Sequence, residues 1–411
     1  VRCGCCETPQ VTCGACCLLR HTEGRYEKHR PNEESEMFEY VCSLGARVPE
    51  LVSAATEARP ASVGESIPNR AEKTPSEGLV LIAPFDGIGG ARRALEILGI
   101  EPAVYVSIEM DQDCVKVVKS AWPEAILLDK VENVTEDLIR SVFSKWPELD
   151  QGLIVGGAPC QPFSSVNKQR LGHDDPRAGG IHEFARIVNL LRQALPNIQW
   201  ESMLENVSSM EVADCDKITE VMKEILPSEE REGKQYRFDA AEIGPIYRPR
   251  LYWPSWPIVE DELRVMGSGS KAFTIVNEHG AEMIPAEYFL DFGVKKCGGN
   301  RPFPTALRWS PKRKPPALPA GIEHCDEETL KKWEANEYAM APYQFKKKNG
   351  VVTADGEERP LNASEKERMH GYRPGHTKGF PEGRRLSFIG NGYHVIAVAF
   401  MLASWAFHLG Y

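Results

Sequence analysis

Three short apolar runs, each followed by a stretch with helical spacing, restrict the fold of this chain more than any other feature. The runs are LVLIAPF (79–85), AVYVSI (103–108) and LIVGG (153–157), and the helical stretches include ARRALEILGI, DQDCVKVVKSAW and HEFARIVNLLRQAL. A continuous apolar run of this length is typical of a strand that is buried on both faces. The alternation of such strands with helices therefore predicts an α/β fold, with a parallel sheet covered by helices.

The alternation ends after residue 257. Residues 258–357 are rich in Pro, Gly, Lys and aromatic side chains and show no repeat, whereas SEKERMHGY predicts a short helix and GNGYHVIAVAFMLASWAF a glycine turn that opens an apolar helix. We therefore predict a core over 78–257, a smaller irregular region over 258–357, and a return to the core over 358–411. The apolar run 395–407 is too short to span a membrane and predicts a buried helix, so we expect no membrane association.

The cysteines are concentrated at the start of the chain. Seven of the 12 precede residue 43, and the CxxC pairs Cys3/Cys6 and Cys13/Cys16 provide four thiolates of the kind that bind structural zinc. The alternative is the edge of a larger zinc domain that cannot fold alone. We predict a Cys-rich module over 1–46 and a linker over 47–77, where Ala, Ser, Glu and Pro dominate. The later cysteines are single, which indicates a reducing compartment, and the initial valine indicates a fragment.

The net charge of −10 does not by itself indicate a nucleic-acid-binding protein. A binding surface needs only a local basic stripe, however. The segment RPFPTALRWSPKRKP (301–315) carries five basic residues and no acid, and Lys346–Lys348 form a second cluster. We name both as candidate phosphate contacts, although such a charge run is more often a solvated face.

The turn DGIGG between the first run and its helix is the first candidate binding motif. Glycines let the backbone approach a ligand, and a helix N-terminus offers free N–H groups. Glu109 follows Gly89 by twenty residues and ends the second run, a position where an acid binds a ribose hydroxyl in doubly wound folds. The pattern predicts a nucleoside-type cofactor, although a turn glycine followed by an acid is common in α/β proteins.

Cys160 follows the third run, in a turn between Pro159 and Pro162. A lone cysteine is usually a small core residue, but an accessible one at the ligand-binding edge of a sheet is a candidate nucleophile. Glu205, in LENV, is a candidate proton donor to a ring nitrogen, or else a surface acid or helix cap. Arg248 and Arg250 would point to the same face of a strand, which is otherwise an amphipathic edge strand.

The order of these motifs, from DGIGG through PCQPFS, ENV and RPR to GNGY, closely resembles the cytosine-5 DNA methyltransferase family over about residues 79–402. The segments DGI, SIEM, SVN and HEF are similar to the animal de novo enzymes. The resemblance implies a Rossmann-like, S-adenosylmethionine-dependent sheet, with residues 258–357 as a target-recognition region that grips DNA while a base is flipped out.

The resemblance also implies a role for each motif residue. Cys160 would add to carbon 6 of cytosine, Glu205 would act at ring nitrogen 3, and Arg248 and Arg250 would anchor the base and its phosphate. The residues implied in S-adenosylmethionine binding are Phe85, Asp86, Gly87, Ile88, Gly89, Glu109, Met110, Pro159 and Asn391.

The implied partner is double-stranded DNA. RNA is the less favoured alternative, because the Cys-Phe-Thr signature of the transfer-RNA branch is not in the sequence. A catalytically silent DNA-binding paralogue is another alternative. We expect a nuclear location if the source is eukaryotic, and we leave open a homo- or hetero-oligomer.

The sequence departs from the family's pattern at three positions. Gln161 replaces the asparagine that is usual after the nucleophile in the animal de novo enzymes. The third motif, LLDKVENV, leaves Asp129 offset from the usual Gly-Asp pair. The last motif reads GNG instead of GNS or GRS, so that Gly392 brings no hydroxyl. These departures put the cofactor pocket in question more than the nucleophile.

Overall fold

The computed structural model describes residues 78–160, 163–164, 178–226, 235–256, 258, 263–265, 273–275, 285–299, 301–305, 319 and 321–409. The predicted Cys-rich module with Cys3, Cys6, Cys13 and Cys16, the linker, Gln161 and most of the basic segment 301–315 lie outside the described residues. The predictions made for them stay predictions.

The described strands are β1 (Leu79–Pro84), β2 (Val104–Ile108), β3 (Ile126–Leu128), β4 (Gln151–Gly156), β5 (Gln199–Val207), β6 (Tyr236–Asp239), β7 (Ile246–Tyr247), β8 (Pro249–Pro254), β9 (Leu263–Val265), β10 (Phe273–Ile275), β11 (Lys295–Lys296), β12 (Phe303–Pro304), β13 (Val351–Val352) and β14 (Glu358–Arg359). The described α-helices are α1 (Gly90–Ile97), α2 (Gln112–Ala121), α3 (Glu136–Phe143), α4 (Gly179–Ala194), α5 (Val212–Glu224), α6 (Glu327–Ala335), α7 (Ala363–Met369), α8 (Glu382–Asn391) and α9 (Val395–Leu409). The helices predicted from the sequence correspond to α1, α2, α4, α7 and α9.

A mixed central sheet organises the described part of the chain, in the order β3-β2-β1-β4-β5-β8-β6-β10-β9. Strands β1 to β5 pair in parallel, and β1, β2 and β4 correspond to the three apolar runs for which a parallel sheet was predicted. Connections from β1 lead first to β2 on one side and later to β4 on the other, so the strand order reverses between β1 and β4. In open α/β sheets, ligands bind outside the carboxyl ends of the strands at such a switch point.

The prediction of a parallel sheet is incomplete beyond β5. Strand β8 lies antiparallel between β5 and β6, and β9 and β10, from the region 258–357, extend the far edge of the same sheet. The reversal follows from β8, which runs back along β5 shortly after β6. It places Arg250 opposite Val207 and Tyr252 opposite Glu205, so the RPR and ENV motifs are neighbours in the sheet.

Both faces of the sheet are covered, and β1 and β4 are buried along their whole length. Helix α9 packs on α1, which returns the end of the chain to the first strand–turn–helix unit. The stretch Glu382–Ala406 is long and apolar enough to cross a membrane, with a mean hydropathy of 1.6, but 78% of it is buried inside the protein. The expectation of a buried core helix at 395–407 is therefore confirmed.

Candidate active site

The turn after β1 has a tightly specified backbone. Phe85 adopts a φ of 57°, which is uncommon for a residue other than glycine, and Gly87 and Gly89 also have positive φ. The N–H of Gly89 donates to the Asp86 carbonyl at 3.2 Å, and the N–H of Gly87 donates to Glu109 Oε2 at 2.9 Å. The acid at the end of β2 therefore holds the glycine turn at the end of β1.

Asp86 is buried beneath this turn. Its Oδ2 accepts hydrogen bonds from the Tyr105 hydroxyl and from Ser107 Oγ, both on β2, while its Oδ1 has no partner among the described residues. Burial raises the pKa of Asp86 to about 7, against the opposing effect of these two donors. The buried carboxyl therefore keeps its proton to a higher pH than an exposed aspartate does.

Glu109 is fixed on its other side as well. Its Oε1 accepts from the N–H of Asp111 at 2.8 Å, and Asp111 is in turn held by Arg384 Nη2 at 2.5 and 2.6 Å. Burial raises the pKa of Glu109, and the donated N–H groups oppose that shift. The neighbouring Met110 is 66% exposed. The predicted ribose acid thus lies at the carboxyl edge of the sheet with its orientation determined by backbone donors.

Asp129, which the sequence left offset, follows β3 directly beside this acid. The N–H of Glu109 donates to the carbonyl of Leu128 at 3.0 Å, one residue before Asp129. The Asp129 carboxylate is exposed and accepts from Asn133 Nδ2 at 3.1 Å. The tertiary structure therefore brings the acid of the altered third motif to the same edge.

A segment that sequence reasoning did not single out supports the glycine turn from the C-terminal side. His376 Nε2 lies 2.7 Å from the Ile88 carbonyl, and its ring packs between Tyr372 and Trp122. Arg93 Nε donates to the Gly371 carbonyl at 3.3 Å. Burial lowers the pKa of His376 to about 4, so the imidazole is neutral and Nε2 carries the donated hydrogen. Nothing in the sequence around His376 indicates this contact.

Cys160 lies in a turn beyond the end of β4. Its carbonyl accepts from the N–H groups of Phe163 and Ser164 at 3.0 and 2.9 Å, and Asn206 Nδ2 donates to the Ala158 carbonyl at 3.3 Å. Asn206, the middle residue of ENV, thus ties β5 to the cysteine turn. Gly157 is required here, because a Cβ at that position would lie 2.9 Å from the Tyr393 hydroxyl oxygen.

Pro159 and Phe85 approach each other from neighbouring strands. A Cβ built on Gly180, in α4, would lie 2.8 Å from Pro159 Cδ and 3.3 Å from Phe85 Cζ. The two predicted cofactor residues therefore lie close together at the switch point, one after β1 and one after β4.

Glu205 and Arg250 form an ion pair beside Cys160, with 2.9 Å between Nε of Arg250 and Oε1 of Glu205. Burial raises the pKa of the Cys160 thiol, the positive charge of Arg250 lowers it, and the charge of Glu205 raises it. The charges of both Arg250 and Glu205 therefore act on the Cys160 thiol. The structure thus brings together the predicted nucleophile, acid and second arginine.

Arg248 is placed differently from Arg250. It is 3% exposed, and its guanidinium donates to the carbonyls of Gly390 at 3.4 Å and Gly392 at 2.5 Å and to Thr305 Oγ1 at 3.1 Å. These bonds fasten the C-terminal GNG turn to the start of β8. Asn391, the predicted cofactor residue in that turn, is exposed at the end of α8. The base contact of Arg248 stays a prediction, and in the structure its guanidinium bonds the GNG turn.

Comparisons with known proteins identify relatives of this chain. The model of the family described as C-5 cytosine-specific DNA methylase matches residues 81–252. The type II methyltransferase M.AquIA of Picosynechococcus is 31% identical over 182 residues, which cover 42% of this chain and 69% of that protein. The chain belongs to the C-5 cytosine-specific DNA methylase family.

Other relatives match this chain over shorter segments. The type II methyltransferase M.HgiCII of Herpetosiphon aurantiacus is 36% identical over 107 residues, and the DNA (cytosine-5)-methyltransferase DRM2 of Oryza sativa is 26% identical over 124. The matches cover 26% and 29% of this chain and 22% and 20% of those proteins. The similarity to the animal de novo enzymes stays a prediction.

Solved structures are similar at low sequence identity. A DNMT2 of Spodoptera frugiperda has a TM-score of 0.49 and 15% identity, and the match covers 79% of this chain and 98% of that one. The methyltransferase EhMeth of Entamoeba histolytica has a TM-score of 0.45 and 16% identity, with 80% and 98% covered.

The family depends on S-adenosylmethionine, and the residues at the switch point fit such a cofactor. Asp86 Oδ1 and the hydroxyls of Tyr372 and Tyr393 are buried and have no hydrogen-bond partner among the described residues. A Cβ on Gly87 would meet no atom within 4 Å, so the turn opens onto free space. Glu109 could hold a ribose and the turn could approach the rest of the molecule. The described residues contain no cluster of His, Cys, Asp and Glu that could hold a metal ion.

Two residues of the site that were not predicted, Tyr105 and Ser107, could have been found from the sequence. Tyr105 and Ser107 are polar interruptions, two residues apart, near the end of an otherwise apolar strand, and this spacing places them on one face. Tyr372 and Tyr393 had no comparable signal, because their positions depend on how residues 370–395 pack against α1.

Proposed function

We propose that this chain is a DNA (cytosine-5)-methyltransferase that transfers a methyl group from S-adenosylmethionine to carbon 5 of a flipped-out cytosine through a covalent Cys160 adduct. The observation that carries the proposal is the position of Cys160, at the β1/β4 switch point and in the field of the Glu205–Arg250 ion pair.

Carbon 5 of cytosine is a poor nucleophile as long as the ring is aromatic. The thiolate of Cys160 would therefore add to carbon 6, which makes carbon 5 nucleophilic. Glu205 would hold ring nitrogen 3 through a proton, which stabilises the electron density that moves into the ring. Since Glu205 accepts from Arg250 in this structure, we expect the base to take the place of that contact, and Glu205 to take up a proton from solvent that it then shares with ring nitrogen 3. Bound S-adenosylmethionine supplies an electrophilic methyl group. Loss of the carbon 5 proton then expels Cys160 and restores the aromatic ring.

Arg250 would have two effects in this scheme. Its charge offsets the burial of the Cys160 thiol and so favours the thiolate, and its guanidinium is well suited to planar contacts with a base or a phosphate. Arg248 would hold the GNG turn against β8, because its terminal nitrogens already donate to Gly390 and Gly392.

DNA is the proposed substrate because the named relatives include type II methyltransferases and a DNA (cytosine-5)-methyltransferase. RNA remains the alternative within the same chemistry, and a silent DNA-binding paralogue the alternative outside it. We propose residues 258–357 as the target-recognition region and a nuclear location for a eukaryotic source. Of the second basic cluster, Lys348 is the best phosphate candidate, because Lys346 Nζ donates to the His324 carbonyl and Lys347 pairs with Glu358.

The decisive experiment is transfer of a labelled methyl group to double-stranded DNA and to transfer RNA. Cys160→Ala should lower the rate by at least about 10⁴-fold, because the covalent route is lost, while the affinity for S-adenosylhomocysteine should stay within about twofold. Cys325→Ala is the matched control, since Cys325 is also a free thiol of intermediate burial, and it should retain full activity. Turnover by Cys160→Ala would refute the assignment of the nucleophile, and labelling of RNA alone would refute the DNA substrate.

A further inference from the structure

Most of the large apolar side chains that are exposed in the described part of the chain lie at one edge of the sheet. These side chains are Met110 (66% exposed), Val212 (53%), Tyr247 (49%) and Phe292 (80%). Met110 follows β2, Val212 begins α5 after β5, and Tyr247 precedes β8, which starts beside the end of β5. Three of the four are therefore at the carboxyl edge, as Cys160 is. Single exposed apolar side chains are common in proteins, but a group of them at one edge indicates a binding surface.

Tyr247 is the aromatic member of this group, and its backbone is fixed. It pairs in parallel with Pro304 of β12, and the N–H of the next residue, Arg248, donates to Asp239 Oδ1 at 2.8 Å. Side chains alternate between the two faces of an extended strand. Ile246 and Arg248 are 0% and 3% exposed, so the ring between them is directed to solvent. A ligand that stacks on this ring would not have to order a loop first.

The distance from Tyr247 to the reacting groups indicates the ligand. Arg250, which pairs with Glu205 at 2.9 Å, is three residues further along the extended chain, or about 10 Å at roughly 3.3 Å per residue. A cytosine that reaches Cys160 has left its base stack, and the faces of the bases that bordered it are then open. Arg301, which is exposed two residues before β12, adds a positive charge near the strand that pairs with β7. An exposed ring and a nearby cation suit a nucleic-acid strand.

We propose that the ring of Tyr247 stacks on a DNA base that borders the flipped-out cytosine, and so holds the target strand against the carboxyl edge of the sheet. The inference rests on the proposed function, since it assumes a flipped-out cytosine in DNA. Every base has a π face, so such a stack contributes affinity without requiring one particular base. The hydroxyl of Tyr247 is not needed for the stack, which separates this role from that of a hydrogen-bond donor.

Filter binding of the whole chain to a duplex with one target cytosine, in the presence of S-adenosylhomocysteine, tests this contact. Tyr247→Ala should weaken binding by roughly 10- to 100-fold, as expected for the loss of one stack between a base and an aromatic ring. Tyr247→Phe should stay within about twofold of the wild type, because it keeps the ring. Val212→Ala is the matched control, since Val212 is exposed to a similar extent at the same edge but has no ring, and it should also stay within about twofold.

Two further duplexes, with an abasic site on the 5′ or on the 3′ side of the target cytosine, identify the stacked base. With one of them the wild type and Tyr247→Ala should bind equally, because the base that the ring covers is missing, and with the other the difference should persist. Thermal unfolding without DNA should be the same for both proteins, since the ring is half-exposed.

Three results would overturn the inference. These are wild-type affinity in Tyr247→Ala, an equal loss in Tyr247→Phe, and a difference that persists with both abasic duplexes. If Tyr247→Ala kept its DNA affinity but sedimented as a different oligomer, the ring would belong to a protein interface instead. A wild-type chain that neither binds nor methylates the intact duplex would overturn the proposed function, and the inference with it.

Discussion

The carboxyl edge of the parallel strands and the described part of the region 258–357 are built in different ways. Strands β1, β4 and β5 are six, six and nine residues long and almost wholly buried, whereas β11 and β12 have two residues each. The edge carries Glu205 on β5, and Asp86, Glu109 and Cys160 directly after or shortly beyond the ends of strands whose positions are set by continuous pairing. Rigid elements hold reacting groups more precisely than short strands and loops do.

Ion pairs and caps take the place of long strands where the second region meets the core. Arg368 Nη2 pairs with Asp291 at 2.7 Å, and the buried Glu365 accepts from the N–H of Asp291 at 3.3 Å. Glu365 also completes a capping box with Asn362 at the start of α7. The comparison teaches that the reaction geometry resides in the parallel strands, while the described part of the region 258–357 is joined to the core by the short strand pairs β10–β6 and β12–β7 and by these side chains. Substitutions at the edge should therefore change rate and cofactor affinity, and those in the region should change nucleic-acid binding.

The largest effect that sharpens this comparison is expected for Glu205→Gln. The amide cannot supply a proton to ring nitrogen 3, so the rate of methyl transfer should fall by about 10²- to 10⁴-fold with the cofactor affinity unchanged. Glu201→Gln is the matched control on the same strand, since Glu201 bonds Ser255 away from Cys160. The role of Glu205 would be disproved if both variants kept the wild-type rate.

Asp86→Asn should change how stability depends on pH. The folded-state pKa of about 7 lies above the value of 3.8 for an unperturbed aspartate, so the folded protein keeps a proton that the unfolded chain releases. This contribution is fully present below about pH 4 and is lost as the pH rises through about 7. The variant, neutral at every pH, should lack it. The two stabilities should diverge by up to about 1.4 kcal/mol per pH unit between pH 4 and 7.

Urea unfolding at several pH values measures this divergence. Asp129→Asn is the control, because Asp129 is exposed at the same edge and should not reproduce the effect. Parallel pH curves for the wild type and Asp86→Asn would show that Asp86 is ionised in the folded protein across this range.

The smallest effect is expected outside the edge, for Lys312, Arg313 and Lys314 replaced together by glutamine. If these residues contact phosphates, DNA binding should weaken for all sequences and the slope of log K against log salt should fall by up to about three. The rate at saturating DNA should stay within about twofold. Filter binding at several salt concentrations measures the slope, and an unchanged slope would remove this segment from the interface. A large loss in the saturated rate would instead break the comparison between the two regions.

The sequence by itself determined the strands β1, β2 and β4, the helices α1, α2 and α4 that follow them, and the order of the motifs. The reason is local, because apolar runs of strand length and helical periodicity are properties of neighbouring residues. The glycine turn, Glu109 and Cys160 could be placed at one edge for the same reason, since parallel strands all end on the same side.

Only the tertiary structure decided which groups complete the site. The antiparallel strand β8 places Arg250 beside Glu205, and the buried Arg248 donates hydrogen bonds to the GNG turn. Tyr372, His376 and Tyr393 lie more than 280 residues from the glycine turn, at positions fixed by the packing of α9 and its preceding turn on α1. No local pattern encodes such contacts. They stabilise the protein only when segments that are distant in sequence pack together and exclude water, and when a side chain from one segment fills the space beside a glycine in another.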